Sequence, residues 1–80
     1  MNQATAQATS RTQATIEVNG RSEPLAAPTL TALLEERGIE TGGRGVAVAL
    51  NGAVIPRAAW TDTRLNPGDA VEIVRAKQGG

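Results

Sequence analysis

The sequence contains no cysteine, histidine, phenylalanine or tyrosine, and Trp60 is its only aromatic residue. Without cysteine the chain can form no disulfide, no zinc–thiolate site and no iron–sulfur site. Without histidine it lacks the commonest general base and the commonest metal ligand. A single aromatic side chain also gives no platform on which nucleic-acid bases could stack. We therefore expect no metal or other cofactor, and no catalysis by side chains.

The charge and the hydropathy pattern narrow the range of partners. Eight basic and eight acidic residues give a formal net charge of zero, whereas nucleic-acid binding rewards a basic excess. No apolar run reaches the roughly 18 residues of a membrane span, and the N-terminus lacks the apolar segment of a signal peptide. We expect a cytoplasmic protein that binds neither nucleic acid nor a membrane.

The composition divides the chain into three parts. Residues 1–13 contain no Val, Ile, Leu or aromatic residue, so they cannot offset their ordering entropy by burial. Residues 14–75 carry the alternating and periodic apolar patterns of one small domain, and residues 76–80 show no such pattern. The sequence thus predicts a disordered leader over 1–13, a β-rich domain over 14–75 and a flexible tail over 76–80.

Two Asn-Gly dipeptides mark hairpins, because a type I′ turn needs two residues that tolerate positive φ. Asn19-Gly20 and Asn51-Gly52 each lie between apolar segments, and Pro24 within one of these segments indicates an edge strand. A last alternating segment follows a cluster of turn residues at 66–69. The predicted strands cover residues 14–18, 21–25, 46–50, 53–55 and 70–75.

A single helix is predicted between the two hairpins. Thr29 can cap its first N–H groups, and Leu30, Leu33 and Leu34 form a stripe at helical spacing. Gly38 supplies the left-handed stop of a Schellman motif. Hairpin, helix, hairpin and final strand together predict an α+β protein with a ubiquitin-like β-grasp fold. We expect a mixed four- to five-stranded sheet, one helix packed across one face, and the first and last strands paired in parallel at the centre.

Two glycine-rich segments invite a functional interpretation. The loop 42–45 follows a helix and opens a strand, the reverse of a phosphate-binding loop, so we interpret it as a connector. Gly79-Gly80 is more informative, because a tail without side chains can thread a narrow slot and present an unhindered carbonyl. The Gly80 carboxylate becomes an electrophile once it is activated, for example as an acyl-adenylate. A partner would then have to hold both this tail and the folded body.

These segments together resemble a known family. They are similar to the sulfur carrier proteins of thiamine biosynthesis, the ThiS family. The similarity is carried by residues 46–52, by Val54-Ile55-Pro56-Arg57 with Trp60, by Leu65 with residues 68–74, and by the closing Gln78-Gly79-Gly80. The hairpin at 18–20 and the helix start at 29–34 also fit, so the resemblance spans residues 15–80. The leader and the expanded loop 42–45 depart from the family pattern.

The resemblance implies a definite cycle for a carrier that is itself no enzyme and holds no cofactor. A ubiquitin-activating-type adenylyltransferase would adenylate the Gly80 carboxylate with ATP. Sulfur from the persulfide of a cysteine desulfurase or a rhodanese-type donor would replace the adenylate and leave a thiocarboxylate. Thiazole synthase would then take this sulfur into the thiazole of thiamine.

The resemblance also implies which residues a partner contacts. Besides Gly80 as the reactive group, the predicted partner-binding residues are Gly79, Gln78, Lys77, Arg75, Trp60 and Arg57. Trp60 has two interpretations that the sequence leaves open. With Arg57 it has the composition of an interface hot spot, but a single Trp beside a small core can equally close one edge of that core.

Three other functions compete with this one. The small subunit of molybdopterin synthase shares the fold and the thiocarboxylate, although its tail approach usually contains a proline, which Arg75-Ala76-Lys77-Gln78 does not. Sulfur carriers that serve another pathway form a second alternative. A ubiquitin-like interaction domain with no terminal chemistry is the third, and a tag added after Gly80 would leave such a domain active.

Overall fold

The computed structural model describes residues 14–42 and 44–76. It contains five strands, β1 (Thr15–Val18), β2 (Arg21–Pro24), β3 (Val46–Leu50), β4 (Ala53–Val54) and β5 (Ala70–Arg75), together with helix α1 (Leu30–Glu36) and a 3₁₀ helix (Arg57–Asp62). The predicted leader over 1–13 and the tail residues 77–80 lie outside the described residues. No helix in the described part of the chain is long and apolar enough to cross a membrane.

The strands form one mixed sheet in the order β2-β1-β5-β3-β4. β1 and β5 run parallel at its centre, and the other neighbouring strands pair antiparallel. Five strands with α1 packed across one face confirm the predicted ubiquitin-like β-grasp fold. Pro24 ends the edge strand β2, where its missing N–H breaks no ladder between two strands.

Both hairpins turn as the sequence predicts. Asn19 and Gly20 have φ of 51° and 85°, and Asn51 and Gly52 have φ of 51° and 88°. These left-handed values define type I′ turns, whose twist matches the twist of the paired strands. The two turns therefore set the register of β1 with β2 and of β3 with β4.

Helix α1 begins and ends on the predicted residues. The Thr29 Oγ1 accepts a hydrogen bond from the Ala32 N–H at 3.2 Å, which satisfies one of the free donors of the first turn. At the other end Gly38 has φ of 75°. The Ile39 N–H donates to the Leu34 carbonyl and the Gly38 N–H to the Glu35 carbonyl, each at 3.0 Å, which is the bonding pattern of a Schellman motif.

The core lies between α1 and the sheet. Leu30 and Leu34 are fully buried, and Leu33 is 3% exposed. They pack with buried side chains of the central strands, among them Ile16, Val18, Val48 and Val71. Because a seven-residue helix is marginal by itself, the burial of this leucine stripe is what stabilises α1.

The segment after β4 differs from the sequence prediction. The predicted strand 53–55 ends at Val54, and residues Arg57–Asp62 form a 3₁₀ helix that the sequence analysis did not predict. Pro56 has φ of −61° and donates no N–H. The carbonyl of the preceding residue, Ile55, accepts a hydrogen bond from the Trp60 indole N–H at 2.8 Å. The buried Trp60 side chain thus holds the segment after β4 against the core.

Candidate functional site

The predicted reactive end of the chain begins where the described residues stop. Gly80, Gly79, Gln78 and Lys77 lie outside the described residues, but their point of attachment is defined. The Ala76 N–H donates to the Gly45 carbonyl at 2.7 Å, so Ala76, which was assigned to the tail, is still tied to the sheet. We call Gly45, Val46, Arg75 and Ala76 the tail root.

The tail root is the end of the central strand of the sheet. β5 pairs with β1 on one side and with β3 on the other, and Arg75 lies opposite Val46 in the register with β3. The ladder to β1 lies at the start of β5, at Ala70 and Val71, and the ladder to β3 continues to Arg75. A partner that held the tail would hold it next to a rigid support.

Two asparagine side chains, whose contacts the sequence did not reveal, form further hydrogen bonds to the backbone of β5. The Asn19 Oδ1 accepts the Ile73 N–H at 2.8 Å, and the Asn51 Oδ1 accepts the Ala70 N–H at 2.8 Å. The Asn51 Nδ2 also donates to the Asp69 Oδ1 at 3.0 Å. Each hairpin turn thus bonds to the central strand through its asparagine. The signal in the sequence was that both turns use Asn at the first central position, where Asp or Gly would also permit positive φ.

The helix side of the tail root carries arginines. An open cavity of about 300 Å³ is lined by Ile39, Glu40, Arg44 and Arg75, among others. A second cavity, of about 270 Å³, also contains Arg75 and includes Arg37. Cavities of this size are at or below the lower limit for small-molecule sites, and both are open. These cavities are shallow grooves on a surface that carries arginines, and neither is an enclosed substrate-binding pocket.

The opposite side of the tail root is apolar. On the face of the sheet away from α1, Val74 and Val54 are 63% and 75% exposed. Val74 pairs with the exposed Ala47, and Val54 pairs with Ala49. We call Ala47, Ala49, Val54 and Val74 the apolar strip. Val74 on β5 and Val54 on β4 are separated by the alanines of β3, and the exposed Glu72 lies opposite Ala49 on the same face. An exposed apolar area with a charged residue at its border is a candidate interaction surface.

Trp60 and Arg57 lie in the connection beyond β4, and the structure decides between the two interpretations of Trp60. The indole is only 2% exposed and belongs to the hydrophobic core, so its ring closes the core and offers no anchor to a partner. The Arg57 guanidinium carbon lies 5.6 Å from the centre of the indole ring, within cation–π range. Arg57 is exposed and stays a predicted partner contact, whereas Trp60 is corrected to a packing residue.

Fold and site together define a class of protein. The chain is a ubiquitin-like β-grasp domain whose C-terminal residues continue directly from the central strand, flanked by a basic surface on one side and an apolar surface on the other.

Comparison with known proteins identifies the family. The sequence model of the ThiS family matches residues 8–80, and the chain belongs to this family. It is 43% identical over 63 residues to the sulfur carrier protein ThiS of Thermus thermophilus, which covers 79% of this chain and 95% of that protein. The crystal structure of a thiamine biosynthesis protein (ThiS) from Geobacter metallireducens superposes with a TM-score of 0.67 at 32% identity, covering 82% of this chain and 99% of the other.

Proposed function

We propose that this chain is a sulfur carrier of thiamine biosynthesis and that the Gly80 carboxylate is its working group. The observation that carries the proposal is the direct continuation of β5 into the tail at Ala76, in a chain whose match to the ThiS family extends through residue 80. A carrier needs a terminus that reaches into a partner and a body that the partner can recognise. The β-grasp domain is the body that the partner would recognise, and its last strand, β5, leads into the terminus.

The chemistry proceeds on partner enzymes. A ubiquitin-activating-type adenylyltransferase joins the Gly80 carboxylate to AMP and releases pyrophosphate from ATP. The terminal sulfur of a persulfide on a cysteine desulfurase or a rhodanese-type protein attacks the acyl-adenylate and displaces AMP, which leaves the Gly80 carbonyl joined to the donor cysteine through a disulfide. A second thiol, such as free cysteine, then reduces this bond: it forms a disulfide with the donor cysteine and releases the Gly80 thiocarboxylate. Thiazole synthase receives the sulfur and returns the carboxylate. In this cycle the chain is a co-substrate that is regenerated, not an enzyme, and it works in the cytoplasm, where the adenylating partner finds ATP.

The body must contribute to binding for an energetic reason. Fixing the backbone of a flexible residue costs about 1–2 kcal/mol. The four residues after Ala76, if flexible as predicted, would cost on the order of 4–8 kcal/mol to hold in a slot. Contacts with the apolar strip and the arginines beside the tail root can offset this cost, because both surfaces adjoin the point where the tail begins.

Intact-mass spectrometry tests the proposal. The chain is incubated with its adenylating enzyme, ATP, a cysteine desulfurase and cysteine, and its mass is compared with that of a variant lacking Gly80. We expect a gain of about 16 Da, oxygen exchanged for sulfur, in the full chain only. No gain in the full chain would favour a ubiquitin-like interaction domain. Transfer of the sulfur to thiazole synthase, and not to a molybdopterin precursor, would identify the pathway.

A further inference from the structure

Two arginines flank the point where the tail begins. Arg75 is the last residue of β5, and Arg44 immediately precedes Gly45, whose carbonyl accepts the Ala76 N–H. Both arginines are exposed, and both line the same cavity of about 300 Å³. The pairing of β3 with β5 is what brings these two positions together across a separation of 31 residues in sequence.

The charges of Arg44 and Arg75 are not neutralised within the fold. Among the described residues the ion pair that forms joins Arg37 to Glu23 and involves neither of them. The residues outside the described ranges contain no Asp or Glu, and the next residue, Lys77, adds another positive charge. The acidic group that follows is the Gly80 carboxylate, which in the proposed cycle is bound by the partner and loses its charge on adenylation. Glu40 is the acidic side chain of the shared cavity, and it makes no ion pair with either arginine. A chain with zero net charge thus concentrates positive charge at its tail root.

A partner that receives Gly80 must come close to these charges. Four residues follow Ala76, and an extended chain spans at most about 3.6 Å per residue, so the terminal carbonyl lies within about 14 Å of the tail root. Charges are screened over about 8 Å at physiological ionic strength. The terminal carbonyl can lie beyond this screening length, but the rim of the partner's slot, which the tail passes first, lies nearer to the arginines. At the rim like charges would repel and acidic side chains would speed association.

We infer that the slot which receives the tail is bordered by Asp and Glu side chains of the partner that pair with Arg44 and Arg75. This inference rests on the proposed function and adds the chemistry of the partner surface. Two features favour an acidic protein over a nucleic acid as the occupant. The chain has no overall basic excess, so it attracts the phosphates of a nucleic acid only weakly. Its only aromatic side chain is buried, so bases find no aromatic ring on which to stack. Arginine also suits carboxylates, because its planar fork binds them in a bidentate manner.

The test is the adenylation rate of the double variant Arg44→Glu/Arg75→Glu. Pyrophosphate release by the adenylating enzyme is measured over a range of carrier concentrations and at several salt concentrations. We expect kcat/KM for the carrier to fall about 10-fold or more through KM, with kcat within about twofold of wild type, because charge pairs at a rim act mainly on association. We expect kcat/KM of the wild type to fall as the salt concentration rises, and kcat/KM of the double variant to change little or to rise. A lysine pair at the same positions should retain most of the wild-type value.

Arg64→Glu is the matched control. It makes the same change of charge at an exposed arginine near the start of α1, where its backbone pairs with Thr29 and its side chain does not line the cavity of Arg44 and Arg75. We expect wild-type kinetics from this variant and unchanged melting temperatures from all of them.

Three results would overturn the inference while leaving the proposed function intact. They are an unchanged KM in the double variant, an equal loss in Arg64→Glu, and binding of a labelled single-stranded oligonucleotide that the double variant abolishes. Absence of any adenylation of the wild-type chain would instead refute the proposed function and the inference with it.

Discussion

The hydrogen bonds of Asn51 make a quantitative prediction about the stability of the sheet. In Asn51→Ala the side chain can no longer accept from the Ala70 N–H or donate to the Asp69 carboxylate. A hydrogen bond contributes about 0.5–1.5 kcal/mol net, and we take the lower half of this range because both bonds are exposed. Alanine at a φ of 51° adds about 1–2 kcal/mol of backbone strain. We expect a loss of about 2–4 kcal/mol in the free energy of unfolding.

The measurement is thermal unfolding followed by far-UV circular dichroism and by the fluorescence of the single, buried Trp60. For a domain of this size about 1 kcal/mol corresponds to 4–8 °C, so the melting temperature should fall by on the order of 10–30 °C. Asn51→Gly is the control, because it removes the same two bonds and relieves the strain, and we expect it to lose only about 1–2 kcal/mol. If Asn51→Ala melted within about 2 °C of wild type, the side-chain bonds between this turn and β5 would contribute nothing and the reasoning would be refuted.

Two further predictions concern the core and the tail. Leu33→Ala, at a side chain that is 3% exposed, should lower the free energy of unfolding by about 2–5 kcal/mol in urea titrations, since it leaves a cavity under α1; a loss below about 1 kcal/mol would mean that the core closes over the gap. Deletion of Gly80 should leave the melting temperature within about 2 °C of wild type, because it removes no contact among the described residues. A substantially lower melting temperature would show that the terminus is part of the packed structure.

Much of this fold could be predicted because its signals are local. Asn19-Gly20 and Asn51-Gly52 specify their turns through the φ values that Asn and Gly tolerate, and Thr29 and Gly38 specify the two ends of α1. Each of these signals involves a few neighbouring residues and needs no knowledge of the rest of the chain. The order of the elements then leaves few arrangements of the sheet.

The features that escaped prediction depend on pairing between distant segments. The bonds of the two turn asparagines to β5 exist only once the sheet has its register, and Arg44 acquires its significance only beside Arg75. The burial of Trp60 depends on the 3₁₀ helix that carries it. The alternating pattern of the strands does not specify which residues lie opposite one another across non-consecutive strands, so the neighbourhood of the tail root could not be derived from it.

The central place of β5 has a mechanical consequence. A partner that draws the tail taut pulls along the axis of this strand, and the load is shared at once by the ladder to β1 and the ladder to β3. Hydrogen bonds that lie across the direction of pull must shear together, whereas those of a peripheral strand peeled sideways break one after another. We therefore expect the domain to resist unfolding under a pull on its C-terminus better than a domain whose last strand lies at the edge of its sheet.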